Sequence, residues 1–213
     1  SQPLAYLADI AEGRFDEAVK ATQRKLVLDP NNQSVIAAAA NTLYVAGRIS
    51  EALPLFQRLR DFQPEGRPID TGNNATLRLA YALRYTNDLD GAKAMETLAR
   101  KEHERLSAVG QQGQFHRTSA ALIAAFGGDT DGAIAALDSA IEAGLRNSQV
   151  FADPIFEALW DDERFVALQQ EMDALLAVER ERVLQLICFN NPAPAGWQPL
   201  TETCEGVIRQ PVI

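Results

Sequence analysis

Apolar residues recur at three- and four-residue spacing along most of the chain, the period of a helix with one buried face. Phe15, Val19 and Leu26 form one such stripe, and Leu53, Phe56 and Leu59 another. The pattern predicts helices over 2–12, 15–28, 33–46, 50–62, 73–86, 88–106, 114–126 and 130–143. Turn residues separate them, as in Asp29-Pro30-Asn31-Asn32, where proline and asparagine favour a chain reversal. After Gly144 the pattern changes. Asp153-Pro154 opens a short segment ending at Trp160, and Asp161-Asp162 offers an N-cap for a helix over about 162–188. Phe165, Leu168, Met172, Leu175, Leu176 and Val183 form its apolar stripe. From Phe189 onward, Pro192, Pro194, Pro199 and Pro211 remove the backbone donors a regular helix needs, which predicts an extended tail. The chain thus reads as all-α in three parts: an array of about four helix pairs over 1–144, a helical cap over 145–188 and an extended tail over 189–213.

The array repeats. Gly13-Arg14, Glu17-Ala18, Gln23-Arg24 and Pro30 recur as Gly47-Arg48, Glu51-Ala52, Gln57-Arg58 and Pro64, all at an interval of 34 residues. Gly13 and Gly47 stand where a first helix ends in a left-handed residue, a conformation cheap only for glycine. Ala18 and Ala52 stand where two antiparallel helices approach most closely. Pro30 and Pro64 stop the second helix. Asp88, Asp90, Gly91, Ala92 and Ala94 recur as Asp129, Asp131, Gly132, Ala133 and Ala135 at an interval of 41. The surplus over 34 is expected in the connections, at 65–72 and 107–113.

Gly13-Arg14-Phe15-Asp16-Glu17-Ala18 followed by Leu28-Asp29-Pro30-Asn31-Asn32 resembles a tetratricopeptide repeat (TPR), whose unit is 34 residues long. The resemblance covers about residues 2–143 and implies a TPR-type α-solenoid of antiparallel helix pairs, with a capping helix closing its C-terminal end. It also implies a concave groove lined by the first helix of each pair. The inward positions are Ser34, Ala37, Asn41, Tyr44 and Val45; then Asn74, Leu77, Tyr81, Arg84 and Tyr85; then Phe115, Thr118, Leu122, Ala125 and Phe126. Asn41, Tyr44, Leu77, Tyr81, Arg84, Tyr85, Phe115, Thr118, Leu122 and Phe126 are the candidate peptide-binding residues, because aromatics, Asn and Arg suit a protein-binding surface. The alternative is that some of these aromatics pack against the chain's own C-terminal cap. A carboxylate clamp for chaperone tails is disfavoured by Ala37, Leu77 and Tyr81, which stand where polar donors are needed.

A second resemblance rests on Ala140-Ile141-Glu142-Ala143-Gly144, Asp153-Pro154-Ile155-Phe156-Glu157-Ala158-Leu159 and Asp161-Asp162-Glu163-Arg164-Phe165-Val166-Ala167-Leu168. These runs are similar to the C-terminal end of bacterial multidomain proteins in which a TPR array follows an effector domain. The effector is a winged-helix regulator, a class III nucleotide cyclase or a protein kinase. Members usually carry Pro where Glu163 stands, and both residues suit a first helical turn. The resemblance implies a non-catalytic protein- or peptide-binding module, regulatory or sensory, in a larger signalling protein. The alternative is a structural spacer or self-association domain, with a homodimer as its partner state. The opening at Ser1 rather than Met agrees with an excised piece of a longer chain.

Composition narrows the chemistry. The net charge is −9, and the basic residues are scattered, which argues against nucleic acid, whose binders concentrate Lys and Arg. No apolar run approaches the ~20 residues of a membrane span, so no direct membrane contact is expected. His103 and His116 fall on different helices outside any metal spacing and read as surface residues. Asp129-x-Asp131-Gly132 lacks the rest of a calcium loop. Neither a phosphate loop nor a nucleophile elbow is present, so no enzyme activity, metal or cofactor is expected. Cys188 and Cys204 read either as two thiols or as one disulfide closing the tail. A bridge favours an extracytoplasmic location, and free thiols a cytoplasmic one.

Overall fold

The computed structural model describes residues 5–11, 13–69, 74–189 and 201–207. Eight helices form four antiparallel pairs: α1 (Ala5–Ala11) with α2 (Phe15–Leu28), α3 (Gln33–Val45) with α4 (Ile49–Asp61), α5 (Ala75–Tyr85) with α6 (Leu89–Ala108), and α7 (Gln114–Phe126) with α8 (Thr130–Glu142). Two short 3-10 segments, Ser148–Ala152 and Pro154–Leu159, lead into α9 (Glu163–Phe189), and a helical turn α10 spans Thr201–Cys204. No strand occurs among the described residues. The predicted helices match these within a few residues. The long helix predicted over 88–106 runs two residues further, to Ala108, and so takes up the start of the predicted 107–113 connection.

One turn geometry recurs in every pair. Gly13, Gly47 and Gly128 have φ of +73°, +74° and +81°, and Asn87 takes the same place in the third pair with φ +66°. The following N–H reaches back to close the turn, as from Arg48 to the Leu43 carbonyl (2.9 Å) and from Asp88 to Leu83 (2.9 Å). Asparagine is the residue after glycine that tolerates this conformation best. The helix starts fall into two kinds. In the second pair Arg48 pairs with Glu51 at the start of α4. In the third and fourth, Asp88 and Asp129 cap α6 and α8 by accepting from Gly91 N and Gly132 N, each at 2.9 Å. A β-carbon at either glycine would collide with the capping carboxylate. The 41-residue recurrence of Asp-x-x-Gly is therefore a helix cap, and the faint calcium-loop pattern at Asp129 has this explanation.

Ala18 and Ala52 are fully buried, as their close-approach role requires. The core has two clusters, one from Val19 through Tyr44 and Phe56 to Leu83, the other from Leu77 through Leu122 and Phe126 to Phe156, Phe165 and Met172, and the partly buried Tyr81 and Met95 pack against both. The N-terminal part of α9 thus covers the last pair. Cys188 and Cys204 are joined, with Cα atoms 5.6 Å apart. Thr201–Cys204 departs from the extended tail read in the sequence: this run contains no proline, so its backbone N–H groups can form a helical turn. Trp197, Pro199 and Leu200 of the predicted tail lie outside the described residues.

Candidate functional site

The first helices α3, α5 and α7 lie side by side, and their shared face carries the candidate residues. Much of that face is occupied by the chain itself. The segment after α8 turns back across it, and Asp153 is the anchor, only 2% exposed. Tyr44 Oη donates to Asp153 Oδ1 at 2.8 Å. Arg78 Nε and Nη2 donate to Asp153 Oδ2 at 3.1 and 2.9 Å. Ile155 N donates to Oδ1 at 3.1 Å, so the same carboxylate caps the second 3-10 segment. Arg78 Nη1 then donates to Asn41 Oδ1 at 2.7 Å. One aspartate ties together α3, α5 and the returning segment.

This environment fixes protonation. Burial first, and the Asp153 charge second, hold the Tyr44 phenol well above its ordinary range, so it stays a neutral donor. Burial, then the Glu157 charge, push Tyr81 up to about 12, and its hydroxyl donates to Glu157 Oε2 at 3.3 Å. Arg84 stacks on the Phe126 ring at 3.8 Å and donates to the Phe126 carbonyl at 2.9 Å. Tyr44 meets Phe56 and Tyr81 edge-on, at 6.0 and 5.7 Å between centroids.

The predicted groove residues therefore divide. Tyr44, Leu77, Thr118, Leu122 and Phe126 are buried. Tyr81 and Arg84 are tied to neighbours. Tyr85 and Phe115 are 61% and 74% exposed, and Phe115 borders a separate cleft of about 730 Å³ between α5, α6, α7 and the 63–69 connection. Asn41 borders an open cleft of about 460 Å³ at the N-terminal end, between α1, α3 and the 147–150 stretch. Tyr6 and Ile10 of α1, Ser34 and Ala38 of α3, and Val150 line it. Asn41 Nδ2, buried in its wall, has no hydrogen-bond partner among the described residues.

Sequence reasoning missed Asp153 and Arg78. Arg78 lies one helical turn before Tyr81, off the inward positions assigned to its helix, and Asp153 read only as a turn residue. It also left the first helix out of the groove, although the 34-residue period carries the places of Asn41 and Tyr44 onto Leu7 and Ile10, both of which line the cleft; Tyr6 lies off those positions. The two histidines depart from expectation too: His103 and His116 are half-buried and stacked on each other rather than lying apart on the surface. Among the described residues no group of three or more His, Cys, Asp or Glu could hold a metal, and no helix is long and apolar enough to cross a membrane.

Residues 9–69 match the family model described as tetratricopeptide repeat. No curated protein matches the chain. Of the solved structures, 13 chains match. One is the crystal structure of YrrB, described as a TPR protein with an unusual peptide-binding site. It is 16% identical over 83% of this chain and 88% of that chain, with a TM-score of 0.36. A likeness that distant carries nothing about what this chain binds. The matched segment holds the two units of strict 34-residue period, and the later pairs repeat the same turn and closure; residues 9–69 are similar to the tetratricopeptide repeat, and the described helices continue that segment as an all-α array of antiparallel pairs.

Proposed function

We propose that this chain is a non-catalytic module that binds a protein through an extended peptide segment, and that it is the regulatory or sensory part of a larger bacterial signalling protein. The observation that carries the binding reading is the N-terminal cleft. It is open, its walls mix small and apolar side chains with the polar Gln33, Ser34, Thr42, Asn147 and Gln149, and it presents the unpartnered amide of Asn41. An amide donor buried without an acceptor costs about 1–3 kcal/mol. A peptide carbonyl would relieve that cost, while Ala37, Ala38 and Val45 would accept an apolar side chain. Arg78 lines the same cleft but is held by Asp153 and Asn41, so it contributes position rather than a free charge.

The signalling context rests on the run from Ala140 to Leu168, whose resemblance to the ends of multidomain regulators is given above. The joined Cys188 and Cys204 support an extracytoplasmic site for this part, since such bridges persist in oxidising compartments.

A specific observation favours the second reading, self-association. Beyond Met172 no residue of α9 is fully buried, and Val178, Val183 and Leu186 are 51%, 53% and 50% exposed. A displayed random-peptide library panned on the isolated chain decides between them. The binding reading expects retained peptides whose affinity falls at least about tenfold, or ~1.4 kcal/mol, in Ala38→Trp, which fills the cleft. Self-association expects no retained peptide and a concentration-dependent dimer in sedimentation.

A further inference from the structure

His103, near the end of α6, and His116, in the first turn of α7, face each other across the 109–113 connection. Their rings stack with centroids 3.9 Å apart and planes 5° from parallel. We propose that this histidine stack is an acid-sensitive latch between the third and fourth helix pairs, closed while both rings are neutral and opened by their protonation. The geometry excludes the usual alternative role for paired histidines. A metal lies in the plane of each ring it binds, and two parallel rings cannot share one.

Ser107 fixes the proton arrangement. Its Oγ lies 3.0 Å from the His103 carbonyl and 2.8 Å from His116 Nε2. A hydroxyl has one proton. Given to the carbonyl, it leaves His116 to donate from Nε2, and Nδ1 of His116 is then a bare lone pair. The Nδ1 atoms of both rings are buried without a partner among the described residues. A second proton on His116 therefore enters a site with no acceptor, a charged His103 likewise holds an N–H at its unpartnered Nδ1, and charging both rings places two cations face to face.

The surrounding charges do not offset this. On α6, Glu102 is held by two bonds from Arg105, and Glu104 favours the charged form of His103 only as the weakest of its influences. On α7, Arg117 opposes charge on His116. The 63–69 connection brings Arg67 to the same cleft, and α5 presents only Asn74, Ala75, Thr76 and Leu77 there. Burial first, then the neighbouring ring, hold His103 below its ordinary 6.5; burial first, then Arg117, hold His116 below it. The sign follows from linkage. With values in the closed form below 6.5, the open form binds more protons between the two. The latch is thus fully closed above about pH 6.5 and weakens as pH falls through 6.5 toward the lower values of the stacked rings.

Ring-proton NMR titration of the whole chain, with amide exchange at about pH 7.5 and about pH 5.5 corrected for intrinsic rates, tests this. Expected are midpoints below 6.5 for both rings and a loss of protection confined to residues 103–118. At about pH 5.5, one unit below 6.5, that loss is at most about tenfold for each ring, approached as its midpoint falls well below 5.5. His103→Phe/His116→Phe keeps an aromatic stack that cannot charge, and it is expected to hold its protection at the lower pH. A wild-type midpoint at or above 6.5 for both rings overturns the latch, as does unchanged wild-type protection at 103–118 or an equal loss in the Phe pair. Should the double variant not fold, the wild-type midpoints and exchange decide alone.

Discussion

Removing the Asp153 carboxylate tests the reading that the chain closes most of its own groove. In Asp153→Ala, Arg78 loses two donated bonds, the buried Tyr44 hydroxyl loses its acceptor and Ile155 N loses its cap. Breaking a buried ion pair by removing one partner costs about 3–5 kcal/mol. Arg78 is 18% exposed and keeps Asn41, so water can rehydrate part of it, which places this term near the lower end. The Tyr44 hydroxyl has no such relief, and its loss of a partner adds about 1–3 kcal/mol. These losses share one carboxylate and are not additive, so the total expected is about 3–5 kcal/mol. For a chain of this size that lowers the melting midpoint by ~10 °C, at roughly 2–4 °C per kcal/mol. Asp153→Asn keeps an acceptor for Tyr44 and Ile155 at its amide oxygen but turns an NH2 toward Arg78, so the charge and both bonds from Arg78 are lost, and about 1.5–3 kcal/mol is expected. Urea unfolding followed by circular dichroism reads both. An Asp153→Ala loss below about 1 kcal/mol, or an Asn variant costing more than the Ala variant, refutes the role of Asp153 as the anchor of the returning segment.

Three further outcomes are expected. Ala18→Leu and Ala52→Leu each cost about 1–3 kcal/mol in the same unfolding assay, because both sites are fully buried at a helix crossing with no room for three more carbons. Thiol titration of the unfolded, unreduced chain finds no free thiol, and finds two after reduction, because Cys188 and Cys204 are bridged. NMR titration of the Asp162 carboxyl gives a midpoint of about 2, since Arg164 donates to it from side chain and backbone; this depressed value helps the start of α9 above the ordinary aspartate range, and the help disappears as pH falls toward 2.

Local chemistry explains why the array could be read in advance. Gly13, Gly47, Ala18, Ala52 and Pro30 are each dictated by events within one helix pair, and a fixed period carries them from one pair to the next. The helices follow from apolar spacing for the same reason. The closure of the groove is different. Tyr44 and Asp153 are 109 residues apart, and Arg78 and Asp153 are 75 apart; nothing in either neighbourhood marks the other. Asp153 also has a sufficient local role as a cap, which hides the ionic one. His103 and His116 are likewise invisible as a pair, because helical periodicity places each on its own helix but says nothing of the angle at which α6 and α7 meet. The inward positions of α3, α5 and α7 were assigned by helix register, and the register itself agrees with the burial of Tyr44, Leu77 and Leu122. What register could not tell is whether a partner or the chain's own segment covers them.

The most direct test of the account is amide exchange on the chain with and without a saturating peptide selected by panning. The account predicts new protection in α1, in α3 around Ser34 to Asn41 and at 147–150, with the Asp153–Leu159 segment as protected in the complex as it is free. Loss of protection at Asp153–Leu159, showing that the peptide displaces the chain's own segment, or new protection confined to α9, would contradict it.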